Sequence, residues 1–205
     1  MSDTPQILAE AHFIRTADGF DSSPISKQLA ALSDELLPLL TLDKQQHWLD
    51  FGAGTGALSV PLAKQVGHVT ALDTSAAMLG KLIDKNVPNI TALEQDIFCG
   101  LSETYHGVIS SMALHHVADI SALLKCMHSC LKENGQLALI DLYREDGSFH
   151  GDNKAKGVMH LGFEPQQLLE QAAKAGFKNL SYREIFSIEH KNGQRYPLFL
   201  LLGLA

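Results

Sequence analysis

Apolar positions along this chain follow two periods that take turns. Between residues 22 and 40, Leu29, Leu32, Leu36 and Leu37 fall on one stripe of a 3.6-residue repeat. Ser23 and Pro24 supply a cap and a first helical residue for it. The run "HWLDF", at 47–51, then predicts a short buried strand. Further helices are expected over 56–66, 74–86 and 119–134. Pro61 is early enough to be tolerated, Thr74 or Ser75 caps, and Gly67 and Gly135 are stops. Between them, strands are expected over 68–73, 89–96, 105–112 and 135–143. A last amphipathic helix spans 164–177, with Pro165 near its start and Gly176 at its end. Two final strands, 180–190 and 194–204, flank "KNG", in which Asn192-Gly193 is a hairpin signal.

Strands that alternate with helices until a closing hairpin predict an α/β fold. The expected architecture is a doubly wound, mostly parallel seven-stranded sheet, with helices on both faces and a C-terminal antiparallel hairpin. No repeat or low-complexity tract interrupts the pattern, so residues 1–205 read as one domain. Within it, 1–45 is a helical cap or lid and 46–205 the core. The segment "AHFIRTADGF", at 11–20, is the part of the cap expected to fold over a ligand. Residues 144–163 are polar and glycine-rich, and a loop of that length in a compact domain is more often functional than idle.

Composition narrows the function classes. With 45% hydrophobic and 19% charged residues, the chain has the make-up of a soluble globular domain. A net charge of −7 argues against a surface built to grip phosphates, so no nucleic acid partner is expected. No apolar run reaches 18 residues, so no membrane span is expected. "MSDTPQILAE" lacks the marks of a signal peptide, which makes the cytoplasm the expected location. Cys99, Cys126 and Cys130 do not make a disulfide framework. Cys126 and Cys130 lie one helical turn apart without a C-x-x-C partner and read as packing residues, so no metal is expected.

Candidate chemistry begins in "WLDFGAGTGALSV". The glycines follow the first strand of the alternating pattern, at the edge where open α/β sheets bind ligands. Residues 52–57 satisfy both the dinucleotide fingerprint G-x-G-x-x-[GA] and the shorter G-x-G-x-G. Asp50, two residues before Gly52, would repel a pyrophosphate and attract an ammonium. Asp73 ends the next strand, where an acid can accept from ribose hydroxyls. Asp96 follows the third, where a carboxylate can accept from the exocyclic amine of adenine. Any one of these acids could be a helix cap. Three of them at successive strand ends, beside the glycine loop, favour a site for a ligand with an ammonium, a ribose and an adenine.

The ordered set "LDFGAGTGALS", "VTALDTSAAML", "LEQDIF", "GVISSMALHHV" and "CLKENGQLALIDLY" resembles the successive motifs of class I S-adenosylmethionine-dependent methyltransferases. The likeness runs from about residue 47 to the C-terminus, and the subgroup resembles small-molecule enzymes that include those of quinone biosynthesis. It implies a Rossmann-like methyltransferase fold, S-adenosylmethionine as cofactor and S-adenosylhomocysteine as product. It also implies methyl transfer to a small-molecule acceptor by in-line displacement. By the same resemblance Asp50, Gly52, Ala53, Gly54, Thr55 and Gly56 surround the methionine moiety. Asp73 binds the ribose, with Thr74 and Met78 beside it. Gln95 and Asp96 meet the adenine edge, Ile97 packs on the ring, and Ser111 and Met112 lie near the sulfonium. "SSMALHHV" replaces the N-proline-proline-tyrosine motif of adenine and glutamine N-methyltransferases, which speaks against those substrates. Two rivals stand beside this reading: an NAD(P)-dependent oxidoreductase, and a non-catalytic ligand-binding relative. Monomer and homodimer are both open.

A sulfonium methyl is already activated, so such an enzyme mainly aligns a nucleophile and excludes water. A base is needed only if the acceptor must lose a proton. Of ten histidines, His115 and His116 follow the fourth strand on the ligand edge and are the candidate catalytic residues. Tyr143, Phe149, His150 and His160, in or beside the long loop, are candidates for the acceptor pocket. The alternative for each is a structural turn or plain packing.

Overall fold

The computed structural model describes residues 5–205. Its sheet is built outward from β1 (His47–Phe51), which pairs in parallel with β2 (His68–Asp73) on one side and β4 (Tyr105–Ser111) on the other. Beyond β2 lies β3 (Ile90–Glu94), and beyond β4 lies β5 (Leu131–Leu142). The hairpin of β6 (Lys178–Glu189) and β7 (Arg195–Leu204) completes the order β3-β2-β1-β4-β5-β7-β6, with β7 antiparallel to β5. The expected mostly parallel, seven-stranded sheet with a closing antiparallel hairpin is therefore what forms.

The central strands are apolar at consecutive positions because both faces are covered. Trp48 and Leu49 are both fully buried, yet they belong to different cores. The same split separates Val108 from Ile109, Leu139 from Ile140 and Phe199 from Leu200, as the two-residue period of a strand requires. One core packs α6 (Ile120–Ser129) and α7 (Pro165–Ala175) on the sheet. The other packs α3 (Leu32–Leu36) and α4 (Ser59–Ala63). Strand order reverses between β1 and β4, which opens a crevice at their carboxyl ends.

Several elements differ from the sequence expectation for local reasons. The helix expected over 22–40 is broken into α2 (Pro24–Leu29), α3 and a 3-10 turn, Leu37–Leu39, that contains Pro38. The break lets Leu32 and Leu36 enter the core. Its start is as expected, since the Ser23 hydroxyl accepts the Ser26 N–H at 3.1 Å. The helix after the glycine loop shrinks to α4, because the turns of that loop use the residues before Ser59. Ser75, and not Thr74, caps α5 (Ala76–Asp84). Gly135 does not stop α6, which ends at Ser129. Leu131 already pairs with Tyr105 and Gln136 with Gly107, so residues 132–135 bulge out between them.

The stretch 144–163 stays a loop apart from one bridge between Tyr143 and Phe163. It folds back over the turn after β4, where the Met159 and His160 N–H groups both donate to the His115 carbonyl, at 2.8 and 3.1 Å. At the other end of the chain, α1 (Pro5–Thr16) leads into a 3-10 turn, Ala17–Gly19. Lys81 pairs with Asp18 at 2.5 Å, and Lys85 pairs with Asp21 at 2.7 Å while donating to the Thr55 carbonyl at 2.8 Å. No helix among the described residues is long and apolar enough to cross a membrane.

Candidate functional site

The glycine loop is tied down at its start and open in its middle. Gly52 and Ala53 donate their N–H groups to the Leu72 carbonyl at 2.9 and 3.0 Å, and Gly54 donates to the Asp73 carboxylate at 2.7 Å. Gly52, Gly54 and Gly56 have φ of +67°, +54° and +87°, which side chains rarely adopt. A Cβ on Gly52 would stand 2.3 Å from that of Ala113, so its absence lets the loop meet the turn after β4.

This loop forms one wall of a cavity of about 620 Å³ at the crevice between β1 and β4. Its size suits a small molecule or cofactor. Asp50, Gly52, Ala53, Gly54, Thr55, Asp73, Thr74, Met78, Gln95, Asp96, Ile97, Ser111 and Met112 line it. Gly56 does not, because it faces Leu82 of α5, where a Cβ would come within 2.3 Å of the side chain. Its missing Cβ makes room for that side chain.

Asp50, Asp73 and Asp96 are joined on the cavity wall by Glu10 and Asp119, five carboxylates in all, and among the described residues no lysine or arginine lines it. Asp50 is 2% exposed, and its Oδ2 accepts the Ser59 hydroxyl at 2.5 Å. Burial, opposed by the Ser59 hydrogen bond and reinforced by the charge of Asp73, lifts its pKa to about 7. Burial also raises Asp73, although Ser75 and Gly54 donate to it at 2.9 and 2.7 Å. Asp96 caps the 3-10 turn Ile97–Cys99 through the Phe98 N–H at 2.9 Å, so it is both a cap and a wall residue. A buried Asp50 and a half-buried Asp73, with no lysine or arginine among the described lining residues, make a site that favours a positively charged ligand.

The far wall comes from residues the sequence reading did not name. Glu10, Phe13 and Phe20 of the N-terminal segment line it, as does Met159 of the long loop. Position alone pointed to "AHFIRTADGF", and nothing in its composition singled out the two phenylalanines. Met112 has φ +56°, a strain on the order of 1–2 kcal/mol for a residue with a Cβ, and its N–H donates to the Ile140 carbonyl at 2.9 Å. The turn it makes ends β4 at the cavity.

Only one of the two candidate catalytic histidines reaches the cavity. His116 lines it, 5.4 Å from the Phe13 ring, with Nδ1 at 3.1 Å from the Gly157 carbonyl. Burial, helped by the neighbouring His115, lowers its pKa to about 3. His115 lies behind it, 1% exposed, with Nδ1 2.7 Å from Asp141 Oδ1. Asp141 also accepts the His115 backbone N–H at 3.2 Å. Sequence reasoning missed Asp141, since a single acid inside an apolar strand carries no pattern.

The residues expected to wall an acceptor pocket do not line this cavity. Tyr143 packs edge-on against Tyr182 and Phe199. Phe149 is buried against Tyr196 and His190. His160 stacks near Phe163, and its Nε2 is 2.9 Å from the Val117 carbonyl. His150 sits beside His115, ring centroids 4.8 Å apart, and burial lowers its pKa to about 2. The loop that carries three of them folds back onto the protein and turns these side chains inward.

A family model described as a methyltransferase domain matches residues 24–182. The chain belongs to that family. This methyltransferase domain is 33% identical over 150 residues to an uncharacterized methyltransferase of Schizosaccharomyces pombe, a match covering 64% of this chain and 53% of that protein. It is 30% identical over 111 residues to a ubiquinone biosynthesis O-methyltransferase of Methylocella silvestris, covering 49% of this chain and 41% of that one. The chain thus spans about half the length of these curated relatives. Among solved structures, the DhpI-SAM-HEP complex superposes with a TM-score of 0.77 at 19% identity, covering 100% of this chain and 99% of that one. That likeness is one of fold.

Proposed function

We propose that this protein transfers the methyl group of S-adenosylmethionine to a small-molecule acceptor. The observation that carries the proposal is the cavity with Asp50, Asp73 and Asp96 on its wall and no lysine or arginine among its described lining residues. A pyrophosphate would meet repulsion there, whereas an ammonium beside a sulfonium meets attraction. Membership of the methyltransferase family and the SAM in the DhpI complex support the same choice over a nicotinamide cofactor. The bound cofactor supplies an electrophilic methyl carbon: an acceptor lone pair forms the new bond, and the electrons of the S–CH₃ bond stay on sulfur.

In this reading Asp50 accepts the ammonium of the methionine moiety. Asp73 keeps a lone pair on each oxygen for the ribose hydroxyls beyond the N–H groups it already holds. Asp96 has one oxygen left for the adenine amine, and the buried Ile97 packs on the ring. Ser111 and Met112 flank the sulfur. The N-terminal helices act as a cap, with Phe13 and Phe20 excluding water. Phe13, Phe20, Leu29 and Met159 support an acceptor with an apolar body, in keeping with the likeness to a quinone-pathway enzyme. His116, lowered to about 3, is a weak base, so we assign it to orienting the acceptor, with His115 and Asp141 positioning it from behind.

Calorimetry with S-adenosylhomocysteine and with NAD tests the cofactor. Binding of the first alone is expected, and binding of NAD alone overturns the proposal. Methyl transfer from radiolabelled S-adenosylmethionine to a panel of phenols, quinols and amines then tests turnover. Cofactor binding with no transfer to any acceptor would favour a non-catalytic relative.

A further inference from the structure

We propose that His115, His116 and His150 bind one divalent transition-metal ion of the zinc class. One ligand atom from each ring lies within 4.8 Å of the others. The cluster joins two distant parts of the chain: His115 and His116 come from the turn after β4, and His150 from the long loop. The loop is held against that turn by the two N–H bonds to the His115 carbonyl.

The outer ring nitrogens have the partners that metal-ligating imidazoles use, a carboxylate or a backbone carbonyl. His115 Nδ1 meets Asp141 at 2.7 Å, and His116 Nδ1 meets the Gly157 carbonyl at 3.1 Å. Both contacts leave Nε2 as the remaining donor. His150 presents the complementary feature, because its Nδ1 is buried and has no hydrogen-bond partner among the described residues. Leaving a buried polar atom without a partner is costly, and an ion would satisfy it.

The donor set selects the ion. Three imidazoles without a carboxylate in contact suit zinc, cobalt, nickel or copper, and not magnesium or calcium. Zinc held by three histidines keeps a fourth position open. Because His116 also lines the cavity, the ion would stand in its wall, and its open position, in place of the His116 ring, would orient the acceptor. Zn–N bonds of about 2.0–2.1 Å bring tetrahedral donors to roughly 3.4 Å from one another, so the rings must draw together by side-chain rotation. Buried Asp141 offsets part of the ionic charge. Lys156 works the other way, with its Nζ on the His150 carbonyl at 2.7 Å.

The test uses untagged full-length protein, stripped with a chelator and titrated with cobalt(II) and then zinc(II). The expected result is one equivalent of cobalt with the visible d–d absorption of a low-coordinate site, displaced by one equivalent of zinc. His150→Ala should abolish the absorption while circular dichroism stays that of the wild type. Asp141→Asn should weaken zinc binding about 10–100-fold. Absence of stoichiometric zinc and cobalt binding by the wild type overturns the proposal, whatever the variants do. So does unchanged binding by folded His150→Ala, which would locate the ion elsewhere. These readouts do not involve S-adenosylmethionine, so they stand or fall separately from the methyl-transfer reading.

Discussion

Asp50→Asn is expected to stabilise the ligand-free protein while removing its affinity for S-adenosylhomocysteine. The carboxyl is 2% exposed, and its pKa rises from 3.8 to about 7, chiefly through burial. The folded state therefore holds a proton that the unfolded chain has released between those two values. Stability is lost as pH rises from about 4 to about 7 and is not regained above it. The difference of about three pH units corresponds to a destabilisation on the order of 4 kcal/mol at pH 8. Asparagine has the same shape, carries no charge and can still accept the Ser59 hydroxyl. At about 2–4 °C per kcal/mol for a chain of this size, the variant should melt up to roughly 8–16 °C higher at pH 8. The gap should shrink as the pH is lowered toward 4. The ligand ammonium reverses the balance, because it stabilises the charged carboxylate. Wild-type affinity should then weaken below pH 7, by up to about tenfold per unit. Thermal melts and calorimetry at pH 6 and pH 8 measure both effects. The reasoning is refuted if the asparagine variant is no more stable than wild type at pH 8, or if it binds S-adenosylhomocysteine equally well there.

Gly52→Ala places a Cβ 2.3 Å from Ala113 at a φ of +67°, and should cost about 1–3 kcal/mol in urea unfolding together with cofactor affinity. A variant with wild-type stability would show that the loop can move away from the turn after β4. Lys85→Met removes a partly exposed ion pair to Asp21 and should change stability by no more than about 1 kcal/mol. It should nevertheless speed tryptic cleavage at Arg15, and an unchanged cleavage rate would mean that this lysine does not anchor the N-terminal segment. Asp141→Asn weakens a buried hydrogen bond to His115 and should cost about 1.5–3 kcal/mol in the denaturation midpoint. A change within experimental scatter would deny that bond a structural role.

The alternation of strands and helices and the three acids at strand ends were legible because both are local patterns. Asp50 and Asp73 lie at the carboxyl ends of β1 and β2 and Asp96 two residues after β3, so finding the strands finds the acids. Where tertiary demands outweigh local ones, the sequence misleads. The pattern over 22–40 reads as one helix, but it breaks so that Leu32 and Leu36 can enter the core. Gly56 reads as part of the ligand loop, but it lies outside the cavity lining and its missing Cβ makes room for Leu82.

The sequence alone therefore determined the strand–helix alternation, the closing hairpin and the acids at the strand ends. Hydrophobic period and strand ends are written in consecutive residues. The tertiary structure alone decided which histidine faces the cavity, which acid stands behind it and what covers the far side. Those choices rest on His115 meeting Asp141, His116 meeting Gly157, and Phe13 meeting His116. Such pairings lie tens of residues or more apart and have no period to betray them. They form only when the long loop and the N-terminal segment close on a finished sheet, burying side chains that a linear reading places in solvent.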